Sequence, residues 1–180
     1  MRIEYTLAQV QKDRLKANDP GSLDRMRLLY HYTQGSVEVS CGNGAENLVL
    51  RGIPVLDFAW SLLHILQTLQ ANNEAEFAFT ENHDTIRFRY SGDVIITTRY
   101  SEWVCQCSYD DLKTVVLEFS QTLLNDLCNS VPEFEANSLV GEARKKITDY
   151  RVDSYRRFDH RTHFALRHLM CLTCNLTGTG

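Results

Sequence analysis

No run of about 18 apolar residues occurs in this 180-residue chain, so no membrane-spanning helix is expected. The opening Met1-Arg2-Ile3-Glu4-Tyr5 lacks the apolar stretch of a secretory signal. No segment repeats, and none is of low complexity. Cys41-Gly42-Asn43-Gly44-Ala45 lacks both the Lys-Ser/Thr of a P-loop and the GxGxxG of a dinucleotide fold, so it is expected to be a turn. Six Cys and six His are present, yet none, Cys41 and Cys128 included, sits in the local motif of a thiol nucleophile. Asp110-Asp111 and Glu133/Glu135 fall at a helix start and after a proline, where negative charge is favourable without catalysis. These absences favour a binding protein over an enzyme, and no cofactor is implied. With no export signal, a cytoplasmic protein with six free thiols is the default.

Positive charge is scarce through the middle of the chain. From Pro54 to Ala143 there are four Lys/Arg against fourteen Asp/Glu, a balance of −10. Residues 144–180 carry +5 and residues 1–53 carry +1, which leaves −4 overall. An acidic body disfavours nucleic acid, because phosphate binding needs clustered cations. It favours a basic protein partner through electrostatic steering.

The core block runs from residue 53 to 135. Pro54 presets its backbone angle and Asp57 offers a capping oxygen. Phe58, Leu62, Ile65, Leu66 and Leu69 then recur at helical spacing, and Ala71-Asn72-Asn73 ends the helix. Four alternating segments follow: Glu76 to Thr80, Thr85 to Tyr90, Val94 to Thr98 and Trp103 to Tyr109. Their period of two predicts half-buried strands. Glu81-Asn82-His83-Asp84 and Ser91-Gly92-Asp93 are short turns that force antiparallel hairpins. Ser108 with Asp111 predicts the cap of a second helix, carrying Leu112, Val115, Val116, Phe119, Leu123 and Leu127 on one side. Val131-Pro132 closes it. Phe77, Phe79, Ile86, Phe88 and Phe119 are the expected core cluster. Arg87, Arg89, Thr97, Arg99 and Gln106 are expected on the opposite sheet face. His64, beside Trp60, is expected to be a partly buried packing residue.

The flanks are less patterned. Leu7 to Lys16 suits a short helix or an extended segment, and Asp19-Pro20-Gly21-Ser22 is a turn. Leu23 to Tyr32 suits a helix. Ser36 to Cys41 and Asn47 to Arg51 suit a pair of strands that would extend the sheet to about six. The expected fold is therefore α+β, an antiparallel sheet of about four to six strands with amphipathic helices packed on one face. Residues 1–143 form its single domain, and 144–180 form a basic, partly helical C-terminal segment.

Metal chemistry is the opposing possibility. In the C-terminal segment Ala165, Leu169, Leu172 and Leu176 fall on one side of a helical wheel. His160, His163, Arg167, Cys171 and Cys174 fall on the other. Cys171-x-x-Cys174 has a spacing used by zinc, and with His160 and His163, or with Cys105 and Cys107, it could complete a tetrahedral set. Against this, a zinc knuckle places its CxxC in a tight Gly-containing turn, and a buried Cys often serves as a small hydrophobe. A zinc-dependent regulator or enzyme built on this Cys/His face is the alternative reading.

Leu48 to Glu135 resembles the small cytoplasmic immunity proteins of bacterial toxin systems. The resemblance rests on Gly52-Ile53-Pro54-Val55-Leu56-Asp57-Phe58 leading into a helix and on the strand meander with Ser91-Gly92-Asp93. It rests also on Tyr109-Asp110-Asp111-Leu112 and Val131-Pro132-Glu133-Phe134, which open and close a second helix. It covers about half the chain and implies an acidic, non-catalytic binder that neutralises a cognate toxin or effector. The side chains expected to meet a basic partner are Glu74, Glu76, Glu81, Asp84, Asp93 and Glu102.

Overall fold

The computed structural model describes residues 1–8, 13, 21, 23–42, 47–78, 85–98 and 103–152. The chain divides into two units, Met1–Arg144 and Lys145–Gly180. Within the second, residues 145–152 are helical. No helix of the described residues is long and apolar enough to cross a membrane.

The first unit is α+β, with two antiparallel sheets and helices packed against them. Strands β1 (Arg2–Leu7), β2 (Gln34–Ser40) and β3 (Leu48–Pro54) form one sheet in that order. Helix α1 (Arg25–His31) lies between β1 and β2 in the chain, and helix α2 (Val55–Asn72) follows β3. Strands β4 (Glu74–Ala78), β5 (Thr85–Ser91), β6 (Asp93–Thr98) and β7 (Val104–Cys107) form the second sheet as a meander. Helix α3 (Tyr109–Ser130) and a 3-10 turn at Pro132–Ala136 follow.

The expected α+β class and antiparallel sheet hold, with a meander of four strands; only the extension of that sheet to about six is corrected. Strands β2 and β3 do not extend the meander; they pair with each other, and β2 pairs with β1, in a separate sheet. Alternation reports which residues share a face, but it does not choose between partner strands distant in sequence.

Helix α2 starts at Val55, two residues before the expected cap. Asp57 lies in its first turn, and Pro54 at the cap position makes no side-chain hydrogen bond. The cap comes instead from Thr33, a fully buried residue after α1. Its carbonyl accepts the Val55 N–H at 2.8 Å and its Oγ1 accepts the Leu56 N–H at 3.4 Å. Two donors orphaned at the helix start are thereby satisfied from more than twenty residues away. The helix ends as expected: Asn73 adopts a left-handed conformation (φ 59°), and its N–H bonds the Leu69 carbonyl. In α3 the predicted cap is present, with the Asp111 N–H donating to Ser108 Oγ at 3.0 Å.

Phe77, Ile86, Phe88 and Phe119 are all buried, as expected; Phe79 lies outside the described residues. Edge-to-face ring contacts join both sheets through the helices. Tyr5 of β1 meets Phe119 of α3 with ring centroids 5.7 Å apart. Phe119 meets Phe58 of α2 at 6.2 Å, and Phe58 meets Phe77 of β4 at 5.4 Å. Each such pair adds about 0.5–1.5 kcal/mol beyond its buried area.

The expectation of six free thiols is also corrected. Cys41, just after β2, forms a disulfide with Cys105 of β7, with Cα atoms 5.8 Å apart. The bond ties the two sheets together. Among the described residues Cys107 and Cys128 are free.

Candidate functional site

The outer face of the four-stranded sheet is a small grid set by strand register. One row reads Glu76, Arg87, Thr97 and Val104 across β4 to β7. The next reads Glu74, Arg89, Ile95 and Gln106. Arg87, Arg89, Thr97 and Gln106 thus share the face expected of them, and Arg99 lies outside the described residues. Glu76 accepts from Arg87 Nε at 2.8 Å, and Glu74 lies 3.6 Å from Arg89 Nε. Asp93 accepts a hydrogen bond from Gln106 Nε2 at 2.8 Å. Three of the six expected partner-binding carboxylates therefore lie on β4 and at the start of β6, where neighbouring strands already engage them. The remaining three, Glu81, Asp84 and Glu102, lie outside the described residues.

His64 is exposed rather than partly buried, with its ring against Trp60 at 5.4 Å. The described residues contain no cluster of three or more His, Cys, Asp or Glu side chains able to hold a metal. His160, His163, Cys171 and Cys174 lie outside them. Burial pushes the Cys107 thiol above its ordinary pKa. Burial also raises that of Cys128, although Arg144 beside it pulls the other way.

A second surface was not anticipated. An open groove of about 560 Å³ runs along β1, walled by residues 1–7 on one side and α3 on the other. Val115, Glu118, Phe119, Thr122 and Asp126 form the helical wall. Their spacing places them on one stripe of α3. Ile3, Tyr5 and Leu7 are less exposed than Arg2, Glu4 and Thr6, which alternate with them. Arg2 is ion-paired with Glu4, and Glu118 and Asp126 outnumber the one further cation, the Met1 amino group, so the lining is net negative by one charge. The Tyr5 hydroxyl donates to Asp126 across the groove. Burial first, and then this hydrogen bond, raise the Tyr5 pKa well above its ordinary value. The period-two pattern from Arg2 to Leu7 was the available signal for this strand, but six residues beside an unpatterned segment give it little weight.

No family model matches the chain, and no curated protein or solved structure is significantly similar to it.

Proposed function

We propose that this chain is a non-catalytic protein-binding module whose acidic first unit recognises a basic protein partner. In the reading that the resemblance to immunity proteins suggests, the partner is a cognate toxin or effector, and occlusion neutralises it. The observation that carries the proposal is the β1–α3 groove, in which three carboxylates (Glu4, Glu118 and Asp126) outnumber two cations (Arg2 and the Met1 amino group). The −10 balance between Pro54 and Ala143 supports it, because a field of one sign raises the encounter rate with a partner of the other. The paired Glu/Arg ladder on the outer sheet face contributes less, since exposed ion pairs cancel locally.

The test begins with partners captured from the native cell, which are then purified and recombined with the chain. A basic partner should associate at a rate that falls steeply as salt rises, because screening acts over about 8 Å at physiological ionic strength. Binding insensitive to salt would remove the electrostatic mechanism. Turnover of a small substrate by the isolated chain would overturn the non-catalytic reading.

A further inference from the structure

We infer that the β1–α3 groove accepts an extended, lysine- or arginine-bearing segment of the partner as an added strand on β1. The inference deepens the protein-binding reading and rests on it.

The argument starts from the direction of backbone groups. β1 pairs with β2 in an unbroken antiparallel register from Arg2↔Ser40 to Leu7↔Gly35. One residue further on, the Ala8 N–H donates to the Gln34 carbonyl at 3.1 Å. Hydrogen-bonded and non-hydrogen-bonded pairs alternate along an antiparallel ladder. Arg2, Glu4, Thr6 and Ala8 therefore direct their N–H and C=O groups toward β2. Ile3, Tyr5 and Leu7 direct theirs away from it, along the groove. Among the described residues no strand pairs with that side, because β1 is the edge of its sheet. The edge also lacks the proline or bulge that commonly blunts such a template.

Side chains give the occupant its chemistry. A strand added about 4.8 Å from β1 alternates its side chains between two faces. One set meets the α3 wall, where Val115 offers apolar contact and Glu118 and Asp126 offer carboxylates. In a segment alternating basic and β-branched residues, the basic set meets those carboxylates, and its methylene stems lie against Val115. Backbone hydrogen bonds then supply affinity and the wall supplies selectivity, which is the logic of strand addition. A smaller groove, about 380 Å³, lies between β4 and α2. It is the weaker candidate because Arg87 already engages its Glu76.

The experiment uses the full chain and a fluorescein-labelled octapeptide of alternating lysine and valine. At saturating peptide the Ile3, Tyr5 and Leu7 amides should exchange about tenfold more slowly or better. Those of Glu4, Thr6 and Ala8 should be slow with or without it. Glu118→Lys, an exposed change, should raise Kd about tenfold. The same peptide N-methylated at alternate residues along the bonding edge should fail to bind. No binding at about 1 mM peptide would overturn the inference. So would binding that leaves the three amides unprotected, protects residues 74–78 instead, or tolerates N-methylation. Protection of Ile3, Tyr5 and Leu7 in the free chain would also overturn it; sedimentation would then show whether a second copy covers the edge. If a purified basic partner binds with strong salt dependence while these amides stay exposed, the groove assignment falls and the binding reading stands. If no basic protein binds, both fall.

Discussion

The Tyr5 hydroxyl, on β1, donates to the Asp126 carboxylate of α3 across 121 residues of chain. The bond spans from β1 to α3 and holds the edge strand against the helix. A phenol hydrogen-bonded to a carboxylate must stay protonated, and the Tyr5 pKa is accordingly raised in the folded state, first by burial and then by Asp126. Its stabilising contribution is fully present below pH 10, the ordinary tyrosine value, and is lost as pH rises above it. Unfolding free energy measured by denaturant titration should therefore decline above about pH 10. Tyr5→Phe should flatten that decline and cost about 1 kcal/mol at neutral pH, since the bond is partly exposed. An unchanged alkaline slope in the variant would remove Tyr5 as the responsible group.

Phe88 is 2% exposed and lies at the centre of the inner face of the four-stranded sheet. Phe88→Ala should cost about 3–5 kcal/mol, measured as a shift in the denaturation midpoint at constant slope. A loss below about 0.5 kcal/mol would mean the residue is not packed as described.

Gly35 sits where β2 approaches β1 closely. A methyl group there would overlap the Thr6 carbonyl oxygen and approach Val55 Cγ2 to 3.0 Å. The obstacle is mainly backbone, which yields less readily than the end of a flexible side chain. Gly35→Ala should destabilise by about 1–3 kcal/mol and should speed amide exchange in β1 before other strands. Uniform loss across both sheets would show that β1 does not open separately.

The parts of this fold that were legible in the sequence are those whose signal is local. The face of α2 carrying Phe58, Leu62, Ile65, Leu66 and Leu69 is buried as read, and Ser108 caps α3 as read. The meander from Glu74 to Cys107 followed from period-two alternation and short turns. What stayed hidden depends on distant partners. Thr33 is an ordinary threonine until the fold carries it to the start of α2. Ile3, Tyr5 and Leu7 alternate for too few residues to announce an edge strand, and with them the groove went unread. Nor does any spacing in the sequence relate Cys41 to Cys105.

The Glu76–Arg87 pair is half-exposed on both sides, and its 2.8 Å separation looks stronger than it is. Exposed pairs contribute about 0–1 kcal/mol. Glu76→Gln should therefore leave thermal stability nearly unchanged, within about 0.5 kcal/mol. A larger loss would show that the Glu/Arg ladder organises the sheet rather than decorating it.

The Cys41–Cys105 disulfide closes a loop across 64 residues and joins the end of β2 to β7. Cross-linking residues so far apart removes freedom mainly from the unfolded chain, which by the chain-entropy relation is worth about 4 kcal/mol. The bond also bears on the compartment, because structural disulfides persist where conditions are oxidising and are rare in a reducing cytoplasm. Non-reducing peptide mapping of protein purified without thiol reductant should recover Cys41 and Cys105 in one linked pair. Cys107 and Cys128, free in the fold and with thiols raised by burial, should alkylate slowly until denaturant is added. Adding a phosphine reductant should lower the denaturation midpoint, and the Cys41→Ala/Cys105→Ala double variant should match the reduced protein within about 0.5 kcal/mol. The match matters because reduction and substitution share only the loss of the cross-link. A double variant much less stable than the reduced protein would assign the sulfurs a packing role instead, since both side chains are buried. Recovery of Cys41 linked to Cys107 would contradict the Cys41–Cys105 pairing, although it would still join the end of β2 to β7.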